Sequence, residues 1–287
     1  MYKILEKQVL SDTVKLIVVE APAVAKKAEA GQFVLVRTDE RGERIPLTIA
    51  DFNRETGTIT LIFQEVGKST TQMGALKPGD ELITVAGPLG HATDIKKYGT
   101  VICIGGGVGI APTYPIARAL KQAGNKVISI IGARNKSLLF WEDRMRSVSD
   151  ELIVCTDDGS YGRKAVVTEP LKELLEKKGK EIARVWAIGP PIMMKFVSIA
   201  TKPFNVSTIV SLNTIMIDGT GMCGGCRVVL EDGPQFVCVD GPEFDAHKVN
   251  WGILLSRLGF YAEQEREALE RWKHQCQLDS AMARAEA

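Results

Sequence analysis

Residues 100–104 form an unbroken apolar run that ends in Gly105-Gly106-Gly107-Val108-Gly109-Ile110-Ala111-Pro112, and a helix-like segment follows to Gly124. A strand that runs through glycines into a helix is the building unit of a parallel sheet. The glycines permit the tight reversal, and the new helix presents free N–H groups at the sheet's carboxyl edge. The middle of the chain repeats this unit. Strand-like segments at 127–131, 152–156 and 184–188 alternate with helix-like segments near 141–148, 166–178 and 192–200. That alternation predicts a parallel sheet covered on both faces.

The first hundred residues have another texture. Short β-branched runs at 14–19, 32–37, 58–64 and 82–85 are separated by turn signals such as Glu55-Thr56-Gly57 and Lys77-Pro78-Gly79-Asp80. Short strands with Gly and Pro punctuation predict a small antiparallel β-barrel. Beyond about residue 209 the alternation stops, and a Gly- and Cys-rich segment precedes a charged helix over 262–274. The expected organisation is a mixed α+β and α/β chain: an N-terminal barrel over 1–97, a parallel α/β domain over 98–208 and a small cysteine-bearing segment over 209–287. A chain of 287 residues is long enough to give the two larger units their own cores.

Composition narrows the partners. With 45% hydrophobic and 25% charged residues and a formal net charge of +1, the chain has no global field to draw it to nucleic acid or an anionic membrane. No run approaches the roughly 20 apolar residues of a membrane span. Met1-Tyr2-Lys3-Ile4-Leu5 leads straight into strand-like sequence rather than into a signal peptide's apolar core. A cytoplasmic protein is expected.

The glycine loop departs from the usual dinucleotide fingerprint. Gly107-x-Gly109 is followed at the third position by Pro112, and Gly132-Ala133-Arg134 after the second strand offers no acidic residue for a ribose diol. Arg134 could hold a 2′-phosphate or be a solvated loop residue. Asp157-Asp158-Gly159-Ser160 falls at the same sheet edge, either lining a nucleotide or forming a simple turn. A ligand-free strand–helix turn would use the same glycines.

Cys103 and Cys155 sit in apolar strand-like runs, where a thiol serves as a small hydrophobe, and Cys276 stands alone in the charged terminal helix. The other three cysteines crowd into Asp218-Gly219-Thr220-Gly221-Met222-Cys223-Gly224-Gly225-Cys226 and Cys238. Plant-type [2Fe–2S] sites space their ligands Cys-x4-Cys-x2-Cys with a distant fourth cysteine. Here Asp218 takes the first position, as a hard oxygen donor to ferric iron or as a turn cap before Gly219. Glycines between the donors would let the backbone wrap a cluster and donate N–H groups to its sulfurs. A structural zinc site competes, with Cys223-x2-Cys226 as one half and Cys238 with His247 as an irregular second half.

A barrel of about 100 residues followed by Gly-Gly-Gly-x-Gly-x-Ala-Pro resembles the ferredoxin–NADP⁺ reductase superfamily over residues 1 to about 205. Arg44-Ile45-Pro46-Leu47-Thr48 is similar to that superfamily's first flavin motif and Gly67-Lys68-Ser69-Thr70 to its second flavin loop. Gly189-Pro190-Pro191-Ile192-Met193-Met194 is similar to its late nucleotide loop. The tyrosine that stacks on the flavin in many members is replaced by Pro46 or Leu47. The resemblance implies FAD in the barrel, with Arg44 on the pyrophosphate, Pro46, Leu47 and Thr48 at the isoalloxazine, Gln64 beside them, and Gly67, Lys68, Ser69 and Thr70 at phosphate. It implies NAD(H) on Gly105, Gly106, Gly107, Val108, Gly109, Gly189 and Pro190, with Arg134 and Asp157 at the rim and no catalytic acid or base.

With the cysteines added, the chain resembles the electron-transfer subunits of dihydroorotate dehydrogenase B. In its Arg-Ile-Pro-Leu-Thr motif and its Asp-for-Cys replacement it also resembles the small subunits of NADH-dependent reduced ferredoxin:NADP⁺ oxidoreductases. These resemblances imply a [2Fe–2S] cluster on Asp218, Cys223, Cys226 and Cys238, and electron flow between NADH, FAD and that cluster. They also imply a larger flavin and [4Fe–4S] partner subunit, linked to NADP(H) and ferredoxin, in a complex that bifurcates electrons. A dihydroorotate dehydrogenase subunit and a zinc-binding redox regulator are the alternatives.

Overall fold

The computed structural model describes residues 1–285, with side chains to residue 274. Seven strands make the first sheet: β1 (Tyr2–Val9), β2 (Val14–Glu20), β3 (Phe33–Arg37), β4 (Ile45–Asn53), β5 (Thr58–Gln64), β6 (Glu81–Leu82) and β7 (Thr84–Leu89). Helix α1 (Pro22–Lys27) follows β2, and α2 (Lys68–Ala75) follows β5. The order is β6-β1-β2-β5-β4-β3-β7. β6 and β7 lie at opposite edges yet are separated by Ile83 alone, so a single stretch of chain bends the sheet into a nearly closed barrel. The run expected at 82–85 is this corner, where the Ile83 N–H donates to the Arg37 carbonyl at 3.0 Å.

Strand alternation sends every second side chain inward. Ile17, Val19, Val34, Val36, Ile49, Ile59, Leu61 and Phe63 fill the barrel. Their neighbours Leu16, Ala50 and Ile62 face outward and pack with Ile110, Ala111 and Tyr114 of the next domain in one apolar cluster.

That domain is built from β8 (Thr100–Gly106), α3 (Ile110–Gln122), β9 (Lys126–Ala133), α4 (Glu142–Ser147), β10 (Glu151–Thr156), β11 (Arg163–Lys164), α5 (Thr168–Lys178), β12 (Ile182–Ile188), α6 (Pro191–Thr201) and β13 (Ser207–Ser211). The parallel strands run β11-β10-β9-β8-β12-β13. Val101 and Cys103 of β8 face α3, whereas Ile102 and Ile104 share a cluster with Leu171 and Leu175 of α5 and Val197 of α6. Burial on both faces explains why β8 reads as continuously apolar.

The cysteine-bearing segment contains a hairpin, β14 (Arg227–Leu230) and β15 (Gly233–Phe236), then α7 (Val237–Asp240), β16 (Glu243–Asp245), α8 (Trp251–Leu258) and α9 (Ala262–Ala285). It is not detached from the α/β domain. β16 adds antiparallel to β13, and the expected division at 208–209 falls inside β13 itself. No helix among the described residues is long and apolar enough to cross a membrane.

Candidate functional site

The α/β sheet reverses its strand order between β8 and β12, with α3 on one face and α6 on the other. Ligands of doubly wound sheets bind at such a switch point, beyond the carboxyl ends of the strands. Gly105, Gly106, Gly107, Val108 and Gly109 leave β8 there, and Gly189 and Pro190 leave β12 beside them. The two loops touch. A Cβ on Gly109 would lie 2.2 Å from the Ile188 carbonyl oxygen, and one on Gly106 would lie 2.3 Å from Met193 Sδ. Gly107 differs: its φ is +56° and nothing lies within 4 Å of the missing Cβ. This open backbone in front of the α3 N-terminus suits a pyrophosphate. Arg134 and Asp157, both exposed, follow β9 and β10 at the same edge, where the Asp157 N–H donates to the Ala133 carbonyl at 3.1 Å.

The flavin motifs converge on the barrel. Glu43, next to Arg44, accepts a 2.6 Å hydrogen bond from the Ser69 hydroxyl in the first turn of α2, which brings Arg44 to that helix. Arg44 is exposed and makes no ion pair or hydrogen bond among the described residues. Thr70 Oγ1 accepts from the Val66 and Gly67 N–H groups at 3.1 Å each and fixes the turn. Gly67 has nothing within 4 Å of its missing Cβ and an ordinary φ of −136°, so neither packing nor backbone demands glycine there. A close-lying ligand phosphate does supply a reason. Along β4, Thr48 pairs with Phe33, Leu47 with Val34 and Pro46 with Leu35. Pro46 and Thr48 therefore share the outer face, while Leu47 packs half-buried against the barrel core. Gln64 ends β5 and donates to Thr13 Oγ1 at 3.4 Å.

The cysteine loop lies against this same outer face. A Cβ on Gly219 would meet Leu35 Cδ1 at 2.8 Å and Leu89 Cδ1 at 2.9 Å. The four expected donors, three in the loop and Cys238 in α7, fall into two pairs. Cys226 and Cys238 are buried with their Sγ atoms 3.2 Å apart, well beyond a disulfide bond. Asp218 Oδ2 accepts from the Cys223 N–H at 2.8 Å and Oδ1 from the Thr220 N–H at 2.9 Å. These N–H groups, Thr220 first, hold the Asp218 carboxyl below its usual range. Burial, and next the Cys226 thiol, push the Cys238 thiol up to about 12, and the Gly221 N–H points at its sulfur. Among the described residues no three His, Cys, Asp or Glu side chains converge on one point. Two pairs of donors suit a binuclear cluster, in which each iron takes two protein ligands, better than a single tetrahedral ion.

Residues 213–250 match the iron-sulfur cluster binding domain of dihydroorotate dehydrogenase B, and residues 103–198 match the oxidoreductase NAD-binding domain. A Thermotoga maritima dihydroorotate dehydrogenase B (NAD(+)) electron transfer subunit homolog is 48% identical over 254 residues, covering 88% of this chain and 89% of its own. The chain belongs to this family. A Desulforamulus reducens member, named as the electron transfer subunit of dihydroorotate dehydrogenase B (NAD(+)), is 32% identical over 240 residues, covering 81% of this chain and 90% of its own. A solved structure of NADH-dependent reduced ferredoxin-NADP oxidoreductase, described for its insights into flavin-based electron bifurcation, superposes with a TM-score of 0.89 at 45% identity. It covers 95% of this chain and 98% of that one.

Membership of an electron-transfer family with an iron–sulfur binding domain disposes of the zinc regulator, and the geometry agrees. His247, its expected fourth ligand, lies 2.9 Å from Thr201 Oγ1 on α6 and not with the cysteines. Cys103 is fully buried in the sheet and burial pushes its thiol far up, while burial raises Cys155 to about 11, as expected of inert core thiols. Cys276 lies outside the residues whose side chains are described.

One feature of the family member was not legible in its sequence. Glu243 of β16 accepts from Thr93 Oγ1 at 2.6 Å and from Trp186 Nε1 at 3.3 Å. Thr93 belongs to the segment joining barrel to sheet and Trp186 to β12, so one carboxyl ties all three parts of the chain together. Burial raises its pKa to about 7. Arg184 and Asp94 complete the network through Tyr98, whose hydroxyl accepts from Arg184 at 3.0 Å and donates to Asp94 at 2.8 Å.

Proposed function

We propose that this chain is the electron-transfer subunit of a ferredoxin- and NADP(H)-linked complex, passing electrons between NADH, FAD and a [2Fe–2S] cluster. The observation that carries the reading is the packing of the cysteine loop, through Gly219, onto Leu35, whose cross-strand partner Pro46 belongs to the flavin motif. Cluster and flavin sites are thereby adjacent on one barrel face. FAD supplies the conversion of a two-electron hydride donor into single-electron steps.

The protein's own part is positioning. Arg44 and the α2 first turn, Gly67 to Thr70, would hold the flavin pyrophosphate by charge-assisted and backbone hydrogen bonds. Pro46 and Thr48 would line the ring with Leu47 behind them. Gly107, Val108 and Gly109 would hold the nicotinamide nucleotide's pyrophosphate, with Gly189 and Pro190 closing the other side and Arg134 and Asp157 at the adenosine end. Asp218 with Cys223 and Cys226 with Cys238 would hold one iron each. No side chain is required as an acid or base.

By this reading the partner is a larger flavin and [4Fe–4S] subunit, and the complex bifurcates electrons in the cytoplasm, where thiols such as these stay reduced. The superposition on the ferredoxin-NADP oxidoreductase structure, at a TM-score of 0.89 and over 95% of this chain and 98% of that one, supports this reading. Chemical analysis of the purified chain tests it: iron and acid-labile sulfide equal, each about twice the flavin. Recovery of a dihydroorotate-oxidising subunit from native extract would select the orotate reading instead.

A further inference from the structure

The segment joining barrel to sheet, residues 90–99 between β7 and β8, is fastened to the cysteine-bearing segment as well as to the barrel. The His91 N–H donates to the Gly241 carbonyl at 2.7 Å, and the Thr93 N–H donates to the Ala30 carbonyl at 2.9 Å. At the centre of this junction is the hydrogen bond from Thr93 Oγ1 to Glu243. The barrel backbone lies directly on it: a Cβ on Gly31 would collide with Thr93 Oγ1 and lie 3.2 Å from Glu243 Oε1. How the barrel sits on the sheet therefore depends on one buried carboxyl. By the functional reading above, the barrel holds the flavin and the sheet holds the nicotinamide, so that carboxyl bears on the distance between them.

Three observations give this carboxyl two states. First, Arg184 of β12 is the cation whose charge reaches Glu243, yet its polar contacts go to the joining segment. Its guanidinium lies 4.5 Å from the Tyr98 ring centroid, donates to the Tyr98 hydroxyl at 3.0 Å and stands 3.8 Å from Asp94. Its Nε is buried and has no hydrogen-bond partner. A buried donor left unpaired is costly, and a carboxylate oxygen would remove that cost. Second, the Thr93 hydroxyl serves either form of Glu243, donating to a carboxylate or accepting from a carboxyl. Ionisation leaves that bond in place and calls instead for a cation. Third, Glu243 alone of the groups in this network changes charge near neutral pH. Burial keeps it neutral up to about 7. Hydrogen bonds, first from Lys96 and then from Tyr98, hold Asp94 below its usual range, so it stays ionised. Burial pushes the Tyr98 hydroxyl up to about 12 and the Cys103 thiol of β8 far up, so both stay protonated. β13, which pairs with β16, carries no titratable side chain, and His91 is exposed.

Resting on the functional reading above, we infer that Glu243 is a positioning residue for hydride transfer, whose protonation decides where Arg184 turns. With a neutral carboxyl, Arg184 braces Tyr98 and Asp94 and the joining segment holds barrel to sheet. With an ionised carboxyl, Arg184 brings its free Nε inward to Glu243 and lets go of Tyr98 and Asp94. The joining segment slackens, and the flavin and nicotinamide sites lose their register. Because the neutral form dominates below about pH 7, the braced state belongs to the acid side and the slack state to the alkaline side.

The test uses the full chain with its flavin and cluster. Anaerobic stopped-flow mixing with saturating NADH gives the limiting rate of flavin bleaching from about pH 6 to about pH 8.5. In the parent that rate is expected to fall roughly tenfold, because small displacements of reacting groups are costly in rate, with a midpoint near pH 7. Glu243→Gln, which can keep both hydrogen bonds without a charge, is expected to hold the parent's low-pH rate throughout. The ¹⁵N-labelled indole of Trp186, which donates to Glu243, reports the protonation itself. Its resonance should shift through the same midpoint in the parent and stay still in Glu243→Gln. Arg184→Gln should raise that midpoint, since the carboxylate loses its cation, and it decides the matter where Glu243→Gln fails to fold. His91→Gln is expected to titrate as the parent does. A rate step that survives in Glu243→Gln, an indole that does not move through pH 7, or an unmoved midpoint in Arg184→Gln overturns the inference. A flavin that NADH bleaches at no pH overturns the functional reading with it, whereas bleaching whose pH profile ignores Glu243 overturns this inference alone.

Discussion

The nucleotide loop and the cysteine loop are both rich in glycine, for different physical reasons. In the nucleotide loop Gly105, Gly106 and Gly109 are glycine because α3, α6 and β12 crowd against them: a Cβ would lie 2.9 Å from Ile110 Cα, 2.3 Å from Met193 Sδ and 2.2 Å from the Ile188 oxygen, respectively. In the cysteine loop Gly219, Gly221 and Gly224 are glycine because their φ values are +75°, +80° and +67°, a region that L side chains enter only with strain. The first loop is held by the sheet on either side of it. The second is held by its own turns, by the hydrogen bonds of Asp218 and by Gly219 against Leu35 and Leu89 of the barrel, and its expected donors rest as two separate pairs that a cluster would tie together. One site is a property of the fold, and the other is completed by what it binds.

Gly109→Ala should break the first half of this comparison most severely. Its methyl cannot be accommodated without moving backbone, at a cost above about 3 kcal/mol, which thermal unfolding would register as a fall of roughly 6–12 °C. A variant melting like the parent would refute the packing account. Cys238→Ser should instead leave the melting of barrel and sheet nearly untouched while abolishing iron content, with flavin still bound and still reduced by NADH. Asp218→Cys should retain the cluster with an altered EPR spectrum and potential, and unchanged values would show that Asp218 is not a ligand.

Glu243→Gln probes the carboxyl that fastens the cysteine segment to the other two. The folded protein raises this group from 4.5 to about 7. It therefore favours folding most below pH 4.5, and that contribution is lost as pH climbs through 7. The glutamine variant should match the parent near pH 5 and outlast it near pH 8 by about 2 kcal/mol; parallel pH–stability curves would contradict this. Gly67→Ala should change stability by less than about 1 kcal/mol, because its methyl enters open space, yet lower flavin retention on desalting. Unchanged flavin content would mean that the space is not the phosphate's.

The α/β domain was legible because each strand is buried on both faces and so reads as an apolar block between helical ones. The barrel was legible from its turns, although β1 was read only as strand-like sequence without bounds and β4 escaped separate notice. Exposed Glu6 and half-buried Thr48 interrupt their apolar pattern, and the flavin motif occupies the start of β4. The β14–β15 hairpin was hidden by its Gly-Pro turn side, and β16 by its brevity. Glu-Phe-Asp signals a strand only once β13 is there to pair with it. The spacing of Cys223, Cys226 and Cys238 singled out this segment, since close neighbours in sequence stay close in a loop, while the choice of Asp218 as their fourth partner came from the resemblance. His247 misled for the same reason. Nine residues from Cys238 in sequence, it faces α6, because β16 carries the chain away before the histidine is reached. Glu243 carried no local signal, its partners lying 150 and 57 residues away.

The central claim is that flavin and cluster sit on one barrel face and exchange electrons. Anaerobic titration of the purified chain with NADH, followed by visible absorption and low-temperature EPR, tests it most directly. The account predicts bleaching of the flavin bands and, in the same titration, a reduced [2Fe–2S] signal that disappears in Cys238→Ser while flavin bleaching persists. A flavin that bleaches with no reduced-cluster signal at any NADH concentration, from a chain that carries its full complement of iron, would contradict it.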